Sequence, residues 1–97
     1  MDIASFRATL NQATPPDGLS FALQALWWDH QGDWDQAHDL AQKKEDAAGN
    51  WVHAYLHRKE GDLANAGYWY RRAGKAVPEI TLDQEWGEIV SSLIAGG

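Results

Sequence analysis

His53, His57 and Glu60 follow one another at i, i+4 and i+7. On one helix, at roughly 100° per residue, such side chains fall within about 60° of each other. Two imidazoles one turn apart can share a Zn²⁺ ion, and a carboxylate can add an oxygen ligand. The HExxH signature of zinc peptidases has the same histidine spacing, with a Glu after the first histidine as general base. Ala54 stands there instead, so the peptidase reading fails. The competing expectation is that His53 and His57 pack between paired helices, each needing only a hydrogen-bond partner. His38 is a further candidate ligand or base, with Asp35 and Asp39 close in sequence. Sequence neighbours such as His38 and Asp39, or Asp29 and His30, point in different directions on a helix. Ser5, Ser20, Ser91 and Ser92 lie in no recognisable nucleophile elbow, and the chain has no cysteine. No catalytic residue and no cofactor are therefore expected.

Arg58, Arg71 and Arg72 concentrate positive charge in an acidic chain, with Tyr68 and Tyr70 beside the last two. A forked guanidinium can hold a carboxylate or phosphate by two hydrogen bonds at once. These arginines are the anion-binding candidates. The alternative is pairing of Arg58 with Glu60, Asp62 or Asp35 across neighbouring helices. Fourteen acidic against eight basic residues give a net charge of −6. That balance argues against nucleic acid, whose affinity comes from phosphate neutralisation, and against an anionic membrane surface. Asp2 and Arg7 interrupt the opening residues, so no signal peptide is expected. No run approaches the roughly 18 apolar residues of a membrane span. A cytoplasmic protein, without disulfide or thiolate metal site, is the expectation.

The elements that would position these side chains are helices. Asp2 is a possible cap for a helix from about 2 to 13, stopped by Thr14-Pro15-Pro16-Asp17-Gly18. Leu19, Ala22, Leu23 and Leu26 make the apolar stripe of a second helix, from about Leu19 to Gln31. Gly32 suits the left-handed end of that helix. Asp33 caps a third, with Gln36 in capping-box spacing and Trp34, Ala37, Leu40 and Ala41 inward. Ala47-Ala48-Gly49-Asn50 is expected to end it and to offer Asn50 as the cap of a fourth helix, Trp51 to Glu60. Gly61 closes that helix, and Asp62 caps a fifth from about Leu63 to Ala76, before Pro78. Gly67 and Gly74 inside it point to close approach of another helix. Thr81 and Gln84 open a last helix, Leu82 to about Ala95, with Trp86, Ile89, Val90, Leu93 and Ile94 on one side. Only Pro15-Pro16 and the Gly96-Gly97 tail look flexible. Six Trp, three Tyr and two Phe can supply much of one modest core, since each buried aromatic removes about 150–250 Å² from water; an aromatic binding surface is the other use for them.

The pattern Leu26 to Ala37 is echoed by Leu56 to Gly67, with the anchors Gly32-Asp33 and Gly61-Asp62 spaced 29 residues apart. Such a period marks a helical repeat. The two hairpins resemble tetratricopeptide repeats. Gly61-Asp62 stands at the turn, Ala66 to Tyr70 is A-x3-F with Tyr70 in the aromatic place, and Ala73 and Pro78 fall where a small residue and Pro belong. In the first hairpin Ala41 replaces the aromatic, and the period is shorter than the usual ~34. The segment Trp51 to Asp62 also resembles that of small uncharacterised bacterial and fungal proteins.

The resemblance implies an all-α single domain, 1–97, of right-handed antiparallel helix hairpins: 19–48, 50–78, and a covering helix at 82–95. It also implies a concave surface lined by the first helix of each hairpin, including Leu19, Ala22, Leu23, Leu26 and Asp29, then Trp51, Val52, Tyr55 and Arg58. Left open, that surface is a large apolar patch. Either a terminal helix fills it or a partner does: a protein, a peptide or a second copy of the chain. The expected function is thus a non-enzymatic interaction module binding through Asp29, Trp51, Tyr55 and Arg58. The alternative is a small-anion or metal-binding protein using His53, His57 and Arg58.

Overall fold

The computed structural model describes residues 1–96, and Gly97 of the C-terminal tail lies outside them. Among the described residues the chain is all helical: α1 Ile3–Ala8, α2 Phe21–His30, α3 Trp34–Ala41, α4 Ala47–Glu60, α5 Leu63–Ala73 and α6 Leu82–Gly96. The two Gly-Asp turns are near copies of each other. Gly32 and Gly61 both adopt left-handed φ, 85° and 92°. The next residues, Asp33 and Asp62, repeat the same backbone angles, φ −98° and ψ 80° against φ −89° and ψ 78°. Asp33 Oδ1 accepts the Gln36 N–H at 3.1 Å, and Asp62 Oδ1 accepts the Asn65 N–H at 3.2 Å. The Asp N–H groups reach back to the carbonyls of Trp28 and His57, a Schellman closure of α2 and α4. Each turn therefore reverses the chain in the same way, and α3 packs on α2 as α5 packs on α4.

Five boundaries differ from expectation, among them the end of α3, which stops at Ala41 rather than running on to Ala47. α1 stops at Ala8 and passes into a single 3-10 turn, Thr9–Asn11, rather than running to 13. Asp2 does cap it, accepting the Ser5 N–H at 2.8 Å. α2 starts two residues later than Leu19, because Ser20 Oγ caps it through the Leu23 N–H. α4 starts at Ala47, not Trp51: Asp46, not Asn50, is its cap, accepting the Gly49 N–H at 2.7 Å. Asn50 is instead buried within the helix. α5 ends at Ala73 because Gly74 turns left-handed, φ 72°. Gly74 is thus a terminator rather than a packing site, and a Cβ on Gly67 would meet only the Arg71 side chain, at 3.6 Å. The tight backbone approach is found instead at Gly49, where a Cβ would lie 2.7 Å from the carbonyl oxygen of Lys44, in the turn before α4, and 2.9 Å from that of Ala41 at the end of α3.

The core gathers Phe6, Leu26, Trp27, Val52, Leu56, Ile89 and Val90 from four helices. Burying side chains of this size contributes about 1.5–3 kcal/mol each. Three indole N–H groups find partners inside the fold: Trp27 donates to Thr9 Oγ1, Trp34 to the Leu56 carbonyl and Trp86 to the Leu26 carbonyl. α6 lies against α1, α2 and α4, with Trp86, Ile89, Val90 and Leu93 inward. Thr81 and Gln84 open it as a reciprocal capping box. No described helix is long and apolar enough to cross a membrane.

A candidate metal centre

α3 and α4 meet along one side, and this contact brings three imidazoles together. His38 comes from the middle of α3, and His53 and His57 lie one turn apart on α4. Their ring centroids stand 4.7 Å apart for His38–His53, 4.8 Å for His53–His57 and 5.2 Å for His38–His57. One ring nitrogen from each lies within 4.8 Å of the others. Tryptophans hold the rings in place. Trp34, one turn before His38, stacks on it at 4.7 Å and 12°. Trp69, from α5, stacks on His53 at 4.0 Å and 22°.

The hydrogen bonds sort the nitrogens into an outer and an inner set. His57 Nδ1 meets Glu60 Oε2 at 2.5 Å, and His38 Nδ1 meets the Gln42 amide at 3.0 Å. The Glu60 contact leaves the His57 Nε2 lone pair for the interior, whereas His38 Nδ1 accepts from the Gln42 amide, so that His38 carries its proton on Nε2, 3.0 Å from His53 Nε2. Two nitrogens at about 2.0–2.1 Å from a tetrahedral Zn²⁺ would stand about 3.3–3.4 Å apart, so a few tenths of an ångström separate this pair from ligand spacing. A carboxylate on the far nitrogen of a histidine is the usual outer support of a metal ligand, fixing its tautomer and ring orientation.

Burial sets the protonation. His53 and His57 are buried and His38 is half-buried. Desolvation pushes the His53 pKa down to about 4, with the neighbouring His38 and His57 adding to the shift. Desolvation also lowers that of His38. Both rings are therefore neutral at pH 7, the state in which imidazole binds a metal. A second group, His57, Glu60 and Asp62, also comes within 4.8 Å. Its carboxylates are exposed, however, and Asp62 is spent on the α5 cap.

The sequence-proposed residues divide among three places. Of His53, His57 and Glu60, the two histidines lie in the cluster, while Glu60 supports His57 from outside. The third inner imidazole is His38, which sequence reasoning had as a separate candidate; its i, i+4 spacing from Trp34 was the available signal. The residues expected to line the open surface have partners within the chain. Arg58 donates to Glu85 Oε1 at 2.8 Å and to the Ile80 carbonyl, rather than pairing with Glu60, Asp62 or Asp35. Glu85 is buried at the start of α6 and also accepts the Tyr70 hydroxyl. Tyr55 donates to Asp29 Oδ2 at 3.0 Å, and Lys59 to Asp29 Oδ1 at 2.9 Å. Trp51 is half-buried beneath the Lys75 ammonium, 4.2 Å from its ring. Of the other anion candidates, Arg72 is held by Glu45 and the Tyr68 hydroxyl, and Arg71 is exposed.

No family model, curated protein or solved structure matches this chain.

Proposed function

We propose that this protein binds a divalent transition-metal ion through His38, His53 and His57. The observation that carries this reading is the convergence of three imidazole nitrogens within 4.8 Å, two of them on buried side chains. An all-imidazole set without thiolate suits Zn²⁺, Ni²⁺ or Cu²⁺. Three protein ligands leave one tetrahedral position for water or an exchangeable ligand. Trp34 and Trp69 exclude water from two ring faces, and Glu60 orients His57.

The tetratricopeptide-like repeat is proposed alongside it, supported by the duplicated Gly-Asp turns. A peptide-binding role would have to use a face other than that between α2 and α4, because α6 lies there and Glu85 occupies Arg58.

Isothermal titration of chelator-treated protein with ZnCl₂ and NiCl₂ tests the metal reading. One ion per chain is expected, with heat lost in His38→Ala and in His57→Ala. Because Trp34 and Trp69 touch the rings, Ni²⁺ or Cu²⁺ should also quench tryptophan fluorescence at the same stoichiometry. Failure of the unmodified chain to take up any of these ions overturns the proposal.

A further inference from the structure

α6 leaves one end of the α2–α4 surface open. Beside α1 a cleft of about 380 Å³ remains, within the roughly 300–1,000 Å³ of small-molecule sites and at its lower end. Asp29 is at its floor, only 3 % exposed and held by Tyr55 and Lys59. Trp86 is a wall, its indole N–H already committed to the Leu26 carbonyl. The Arg7 guanidinium lies over the Trp86 ring, 4.9 Å from its centroid. Asp83, in the first turn of α6, and His30, its ring 5.5 Å from that of Trp86, complete the rim. The cleft shares no residue with the histidine cluster.

Among the described residues neither Arg7 nor Asp83 makes an ion pair. Their unused capacity is complementary: Arg7 offers five N–H donors, and Asp83 offers carboxylate acceptors alone. Lys59 keeps two further donors after its bond to Asp29. The formal charges of Arg7 and Lys59 cancel those of Asp29 and Asp83. A net-charged ligand therefore gains no attraction from the cleft as a whole, whereas a small molecule carrying both signs matches its two unpaired ends. We infer that this cleft binds a free amino acid, its carboxylate on Arg7 and its ammonium on Asp83, with the carbon skeleton between them. A guanidinium stacked on an aromatic face is pre-organised for a planar carboxylate, so little of its freedom is lost on binding.

The test is a titration of ¹⁵N-labelled protein with glycine, alanine, glutamate and arginine, and separately with acetate and methylammonium. At least one amino acid should shift the Trp86 indole and Lys59 amide resonances, and the single-charge controls should bind more weakly by about tenfold or more, the loss of one charge-assisted hydrogen bond. R7Q and D83N sit on the exposed rim, where folding is preserved, and each should weaken binding by a similar factor. His38→Ala should leave binding unchanged, so failure of the metal reading does not touch this one. Acetate binding as well as the amino acids would overturn the zwitterion assignment. No amino acid shifting these resonances, or unchanged affinity in both R7Q and D83N, would overturn the site.

Discussion

His38 Nε2 and His53 Nε2 face each other at 3.0 Å across the contact between α3 and α4. Only one proton fits between two nitrogens at that distance. A divalent ion that displaced it would gain both lone pairs with a shift of a few tenths of an ångström, so the helix contact itself pre-forms half of the proposed site. His57 supplies the third nitrogen from the turn after His53, and Trp34 closes over His38 from the preceding turn of α3.

Glu60 tests whether the outer support matters. Its carboxylate meets His57 Nδ1 at 2.5 Å and keeps Nε2 free for the interior. Glu60→Gln removes the charge while keeping the size of the side chain. Zn²⁺ affinity, measured by competition with a chromogenic chelator, is expected to fall about 10–100-fold. The side chain is partly exposed, so metal-free stability should change by no more than about 1 kcal/mol. An affinity equal to that of the unmodified chain would remove Glu60 from the site.

The same cluster sets a pH dependence for the metal-free protein. The His53 pKa falls from an ordinary 6.5 to about 4 on folding, and that of His38 is lowered too, both mainly by desolvation. Between these values the unfolded chain binds protons that the folded chain does not, so stability rises with pH. It is fully present above about pH 6.5 and is lost as the pH falls towards about 4, by at most about 1.4 kcal/mol per pH unit for each imidazole. Urea midpoints between pH 7 and 4.5 measure this. His53→Gln should flatten the slope, and an equal slope in that variant would show that other groups cause it.

Arg58 and Glu85 tie α4 to α6. Glu85 is 1 % exposed, and its carboxylate takes the Arg58 guanidinium and the Tyr70 hydroxyl. Burial, together with the bond to Glu85, raises the Tyr70 pKa, so the phenol stays a donor. Arg58→Met leaves a buried carboxylate without its cation, which costs about 3–5 kcal/mol. Adding Glu85→Gln should recover most of that loss, because the uncompensated charge is then gone. Thermal unfolding of the single and double variants checks both statements; a double variant no more stable than Arg58→Met would place the cost in lost packing instead.

What could be read from the sequence, and what could not, follows the range of each interaction. The Gly-Asp turns, the Asp2 cap and the Thr81/Gln84 box are local chemistry, and they are where the residues placed them. The start of α4 was hidden because Lys43 to Asp46 reads as polar helix and Ala47-Ala48-Gly49-Asn50 as a break. Only the approach of the α3 terminus shows that Gly49 is needed inside a helix. His38 and His53 are 15 residues apart, and Arg58 and Glu85 are 27 apart. No helical periodicity links either pair, and their meeting depends on how α3 and α6 pack against α4.

Two glycine substitutions in helices should act in opposite directions. At Gly49 an added methyl would sit 2.7 Å from the Lys44 carbonyl oxygen and 2.9 Å from that of Ala41. Both are backbone atoms, one in the turn between α3 and α4 and one at the end of α3, and neither can move without shifting that connection. Gly49→Ala should therefore destabilise by about 1–3 kcal/mol, the usual cost of overpacking. At Gly67 the same methyl meets only the movable end of Arg71, at 3.6 Å. Alanine is the better helix former by about 1 kcal/mol, so Gly67→Ala should stabilise by up to that amount. Denaturant unfolding of the two variants side by side gives the signs. Because α3 ends at Ala41, within one turn of His38, Gly49→Ala should also weaken Zn²⁺ binding, and Gly67→Ala should not. A Gly49→Ala protein as stable as the unmodified chain would mean that α3 and α4 are not packed this closely, and the His38–His53 contact would fall with it.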